Sequence, residues 1–280
     1  MSGAGSSLAS ETARAALRSP ALIAGGSILL FWLACALLGS HMTPLDPYAD
    51  DLLATLMPPS RAHWFGTDQL GRDVFSRVIV GARDILVVAP LATLLGTVLG
   101  TVLGLAIGYL RGALDDIASR IIEALQALPL VIVALMALAA VGTSNLTVVL
   151  VIGFVFTPLI ARTVRAATLG EAELEYVAAA RLRGDGAFAI MFIEILPNVL
   201  PVALVEMTVR LGYAIFFVAS LSFIGFGIQP PSADWGIAIA ENYSLIGSYW
   251  WTILFDAAAT ASLIIGVNLV ADGLQTVLER

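Results

Sequence analysis

Residues 124–161 read ALQALPLVIVALMALAAVGTSNLTVVLVIGFVFTPLIA, a run without one formal charge. Roughly 20 apolar residues of helix cross the ~30 Å of hydrocarbon in a bilayer, so this run is too long for one span and suits two. The turn-forming Gly142-Thr143-Ser144-Asn145 is the natural division between them. Working outward, further apolar stretches lie at 19–40, at 85–110 between Asp84 and Arg111, at about 199–224 and at about 250–271. Strict alternation of apolar and polar residues, the mark of a membrane β-barrel, is absent. The expected fold is therefore all-α and polytopic, with about six transmembrane helices.

Composition agrees. Hydrophobic residues make up 59% of the 280-residue chain, charged residues 12%, and the mean hydropathy is +0.93. Soluble domains carry about 25% charge, so a soluble enzyme, a disordered tail and a secreted disulfide scaffold are all excluded. The net charge is −7 and every cation is an arginine, so no basic field for nucleic acid exists. Cys35 stands alone and forms no intrachain disulfide. Ala34-Cys35-Ala36 faintly matches a lipoprotein cleavage site, but apolar sequence continues past it, and the first span is read as a retained anchor.

Cationic loops stay on the cytoplasmic side. With the N-terminus inside, Arg14, Arg18, Arg111, Arg120, Arg162, Arg165, Arg181, Arg183 and Arg280 fall inside, while Arg61, Arg72, Arg77 and Arg83 share one outside loop. Both termini are thus expected in the cytoplasm. The chain divides into a cytoplasmic N-terminus and anchor (1–40), an extracytoplasmic loop (41–84) and a five-helix core (85–280). In the loop, Leu70, Val74, Phe75, Val78 and Ile79 recur at helical spacing, which predicts a short interfacial helix from Gln69. His41, His63, Asp68 and Asp73 match no common metal-ligand spacing, and turns with ion pairs are the better reading.

Charges inside spans are costly and therefore informative. Glu206 and Arg210, four apart, share a helix face and can pair, either lining a pathway or locking the chain to a partner. Asp256 and Asp272 lie in the last span. Pro197 and Pro201 are expected to break or kink the start of the fifth span. Gly96, Gly100, Gly104 and Gly108 form a small-residue stripe for close helix packing. Trp235, Tyr243, Tyr249, Trp250 and Trp251 fit an aromatic belt at the membrane surface.

Between the fourth and fifth spans, at about 165–196, runs Glu175-Tyr176-Val177-Ala178-Ala179-Ala180-Arg181-Leu182-Arg183-Gly184, followed by Glu194-Ile195-Leu196-Pro197. This is an alanine-rich helix ended by a glycine, whose small side chains permit close approach by a partner. The run resembles the EAA loop of permease subunits in bacterial ABC importers. Ala178 stands where that loop usually has glutamate, and Glu175 is the candidate to supply the polar contact. Phe65-Gly66-Thr67-Asp68 with Gly71-Arg72-Asp73 and Ser76-Arg77 is similar to the segment after the first span in dipeptide/oligopeptide permeases. Ser220 to Gly227, then Gln229-Pro230-Pro231 and Asp234-Trp235-Gly236, is similar to their stretch after the fifth span.

The resemblance implies the type I ABC importer transmembrane fold, of the second permease type with an extra N-terminal anchor, in a bacterial plasma (inner) membrane. It implies a second permease subunit, two cytoplasmic ATPase subunits and an extracytoplasmic binding protein as partners, with membrane lipid around them. Glu175, Ala178, Ala179, Ala180, Arg181, Gly184 and Pro197 would couple to the ATPases. Gln229, Pro230, Asp234 and Trp235 would face the binding protein. Apart from the resemblance, the functional reading of the in-span charges lets Glu206 and Arg210 line the translocation pathway, and the structural reading has them lock this chain to its partner. The chain has no phosphate loop and no lysine, so ATP and Mg belong to the partners, and no cofactor or catalytic residue is expected here. The family's cargoes include dipeptides, oligopeptides, nickel complexes, glutathione and opines. A secondary transporter would show repeated halves, and a membrane enzyme a catalytic cluster in the spans; neither pattern is present.

Overall fold

The computed structural model describes residues 19–278. Arg14, Arg18 and Arg280, used above for orientation, lie outside the described residues. Among those residues the chain is helical without strands: α1 (Pro20–Met42), α2 (Val74–Leu110), α3 (Gly112–Gln126), α4 (Leu130–Val141), α5 (Asn145–Glu171), α6 (Glu175–Leu182), α7 (Ala187–Ile224), α8 (Trp235–Asn242) and α9 (Trp251–Leu278). Five of them are long and apolar enough to cross a membrane, or six with α3 and α4 counted together.

Two compact units emerge. One holds the described part of Met1–Pro90, with Gly142–Val148 and the described part of Leu211–Arg280; the other holds Leu91–Val141 and Val149–Arg210.

In the first unit, Ser19 caps α1, its Oγ accepting from Leu22 N, and Pro20 opens the helix at a position where its missing N–H costs nothing. α1 lies along α9 by small-residue contact: a Cβ on Gly25 would sit 2.6 Å from Gly266 O. Trp32 Nε1 donates to Ser262 Oγ at 2.9 Å in the same seam. In the second unit the glycine stripe does the same for α2 and α5. Cβ atoms on Gly96, Gly100, Gly104 and Gly108 would fall within 2.7–2.9 Å of Gly153 O, Ile160 Cβ, Ala161 O and Thr168 Cβ. The expected packing stripe is thus confirmed, with its partner helix identified.

Three expectations are corrected. No separate interfacial helix forms from Gln69: residues 69–73 are non-helical, with Asp73 bridged to Thr67, and the predicted apolar positions from Val74 onward belong to α2 itself. Asp73 starts that helix, Oδ2 accepting from Ser76 N and Oγ at 2.9 and 2.7 Å. The third span is not one helix over 124–141. Pro129 removes an N–H and bars its predecessor from helical geometry, so α3 and α4 meet at 91° across Ala127–Pro129. Of the break or kink expected at Pro197 and Pro201, the break does not occur. Residues Ile190–Ile195 widen to a π turn, Leu196 N reaching back to Met191 O, and α7 continues through Pro197 and Pro201.

Candidate functional site

The segment after α5 projects a short helix, α6. Val177 and Ala180 are fully buried, so they form its inward face. Glu175, Ala178, Ala179, Arg181 and Leu182 are exposed. Leu174, Ala178 and Leu182, four apart, form an outward apolar stripe, and Leu182 is 90% exposed. Glu175 and Ala178, three apart, are both exposed. Ala180, expected at the docking surface, is corrected: it packs inward.

The end of α6 is a Schellman turn. Asp185 N donates to Ala180 O at 3.1 Å and Gly184 N to Arg181 O at 3.0 Å, with Gly184 at φ +85°. A Cβ at Gly184 would meet nothing within 4 Å. Its glycine is therefore required by backbone conformation rather than by crowding within the chain.

Anchors hold α6 at both ends. Tyr176 Oη donates to Glu171 Oε2 at 2.6 Å and accepts from Asn198 Nδ2 at 3.1 Å. Burial, then the Glu171 carboxylate, push the Tyr176 phenol up to about 12, so it stays a neutral donor. Arg181 lies 5.1 Å over the Tyr109 ring and donates to Ala172 O at 3.4 Å. Arg183 bridges Asp185 at 2.8 Å and Glu194 at 2.6 Å, and Arg111 meets Glu173 at 3.0 Å. Pro197 is exposed, one residue before the Asn198 that clasps Tyr176. The clasp residues Glu171, Tyr176 and Asn198, and the knob Leu182, escaped the sequence reading. The four-residue spacing of Leu174, Ala178 and Leu182 was the available signal.

In the first unit, the segment at 65–77 and the segment at 229–241 turn out to hold each other. Arg72 pairs with Asp68 at 2.7 Å and with Glu241 at 2.5 Å, and Gln69 Nε2 donates to Glu241 O at 3.0 Å. Buried Arg77 donates to Pro47 O at 3.3 Å and Ser232 O at 3.4 Å. Trp235 Nε1 donates to Val78 O at 2.9 Å, and its ring packs edge-on against Trp32 at 4.8 Å. Asp234 caps α8, Oδ1 accepting from Ile237 N at 3.0 Å. Both Asp234 and Trp235 have no exposed surface. The expectation that they face a binding protein, and that Trp235 belongs to an aromatic belt, is therefore corrected: both are core. Gln229 Nε2 closes its own turn on Gly225 O and Gly227 O, leaving Pro230 exposed at the tip.

Burial raises the Asp234 carboxyl to about 6. His63 Nδ1 lies 3.0 Å from Asp73 Oδ1, a turn contact. Among the described residues no three His, Cys, Asp or Glu side chains converge as metal ligands. In α7, Arg210 Nε and Nη2 both reach Glu206 Oε1 at 2.7 and 2.5 Å, so the pair forms as its spacing predicts.

These features define a class: a multi-pass helical membrane protein carrying a braced, apolar-tipped helix between two spans. Residues 100–280 match the family of the binding-protein-dependent transport system inner membrane component, and the chain belongs to that family. It is 34% identical over 261 residues to the probable D,D-dipeptide transport system permease protein DdpC of Escherichia coli, covering 93% of this chain and 88% of that relative. It is 37% identical to the dipeptide transport system permease proteins DppC of Bacillus subtilis (92% and 81% covered) and of Escherichia coli (94% and 89%). The resemblance to ABC permeases of the dipeptide/oligopeptide group is thereby established.

Proposed function

We propose that this chain is a transmembrane permease subunit of an ATP-driven, binding-protein-dependent importer of di- or oligopeptides in a bacterial inner membrane. It pairs with a second permease subunit. Helix α6 seats in a groove on a cytoplasmic ATPase, two of which hydrolyse ATP with Mg, while an extracytoplasmic binding protein delivers cargo near the Pro230 tip. Glu206 and Arg210 line the route and contact peptide backbone or termini. The observation that carries the coupling is the stripe Leu174, Ala178, Leu182 on a helix braced by Tyr176 and Arg181. A stiff knob transmits displacement, and an apolar one gains by leaving water.

The test is reconstitution of the complex, co-expressed with its neighbouring genes, in lipid vesicles. ATP hydrolysis is expected to rise when binding protein and peptide are both added, and Leu182→Glu is expected to abolish that rise while the chain remains folded. Failure of any ATPase to co-purify, or full stimulation with Leu182→Glu, overturns the coupling. Stimulation by the binding protein only with non-peptide cargo overturns the peptide assignment alone.

A further inference from the structure

The α3–α4 elbow leaves a cavity of about 330 Å³ in the second unit. Its lining is apolar throughout: Leu125, Leu130, Val133, Val151, Phe154 and Pro158 are among its walls. At 12 residues, α4 extends only about 18 Å, some 12 Å short of the hydrocarbon thickness. The bend leaves this apolar cleft uncovered within the unit. One end of the cavity is marked by charge. Gln126 Nε2 donates to Pro158 O at 3.3 Å, and its Oε1 accepts from Arg162 Nη1 at 3.1 Å. Arg162 is exposed, and its contact is with this neutral amide rather than with a carboxylate. Its neighbour Arg165, in contrast, is bound bidentately by Asp115 at 2.5 and 2.7 Å.

We infer that the elbow is a binding site for an anionic phospholipid, one acyl chain lying in the cavity and the phosphate on the Arg162 guanidinium. The exposed stripe Leu114, Ile117, Ile121, Leu125 and Leu128 extends the apolar surface along α3 toward the membrane interface. A guanidinium beside an apolar cleft is the chemistry that selects acidic headgroups. This assignment does not depend on the cargo or on ATPase docking.

The test installs p-benzoylphenylalanine in place of Phe154 in the full chain. The chain is purified with its partners and returned to vesicles of three parts phosphatidylethanolamine to one part phosphatidylglycerol. After illumination, intact-mass spectrometry is expected to show a phosphatidylglycerol adduct in excess of its share of the membrane. Arg162→Gln is expected to lower that excess about fivefold, and Arg162→Lys to restore most of it. An adduct to another polypeptide, which would mean that a protein covers the elbow, overturns the site. So does the absence of any lipid adduct, or one whose headgroup ratio ignores position 162.

Discussion

Asp234 shows how one carboxyl serves the structure and makes it sensitive to pH. Its Oδ1 caps α8 while its burial opposes ionisation and raises its pKa to about 6. An unfolded aspartate titrates near 3.9. The folded form therefore takes up the proton first as pH falls. This contribution raises stability between about pH 6 and pH 4 and is lost as pH rises through 6, by at most about 3 kcal/mol. Asp234→Asn keeps the capping oxygen and removes the titration. Melting temperatures of the detergent-solubilised complex are expected to lose that part of their slope between pH 4 and 6; an unchanged slope would assign it elsewhere. Legibility from sequence was mixed at this scale. The glycine at 184 was readable because left-handed backbone is a local requirement. The inward direction of Ala180 and the burial of Asp234 and Trp235 were not, because what covers them is distant in sequence.

At the scale of elements, the contact between α2 and α5 is decided by absent side chains. Gly104 lets the backbones approach so closely that a Cβ would lie 2.7 Å from Ala161 O and from Val164 Cβ. Gly104→Leu is expected to cost at least about 2 kcal/mol through forced separation of the helices. Gly26→Leu, where a Cβ meets nothing within 4 Å, is expected to be near neutral. Thermal unfolding of both variants checks the contrast, and equal melting temperatures would refute it. The four-residue spacing made the stripe visible in advance. The bend between α3 and α4 was less visible: Pro129 stood in the sequence, but hydropathy counts residues and ignores direction. The π turn before Pro197 was hidden for a related reason, since a helix can absorb a proline by widening instead of breaking.

For the molecule as a whole, the unequal placement of arginines predicts which loops face which compartment. Leu53 is 98% exposed in the loop before α2, and Leu182 is 90% exposed on α6. Native Cys35 is buried. A membrane-impermeant maleimide added to intact cells is therefore expected to label Leu53→Cys and to spare Leu182→Cys until the membrane is opened. The reverse pattern would invert the orientation and place α6 away from any cytoplasmic ATPase.

Sequence alone determined that this chain enters a membrane, about how many times, and where a short helix projects between spans. Those properties sum over neighbouring residues: transfer of an apolar run from water is additive along about 20 positions, and a helix end depends on the few residues that form it. Tertiary structure alone decided which motif residues are surface and which are core. Trp235 is buried because its indole meets Val78 O and the Trp32 ring, groups brought to it from the far side of the sequence. Arg72 and Arg77 tie the loop before α2 to Glu241 and Ser232 for the same reason. Burial is a property of neighbours in space, and a one-dimensional pattern carries no account of them.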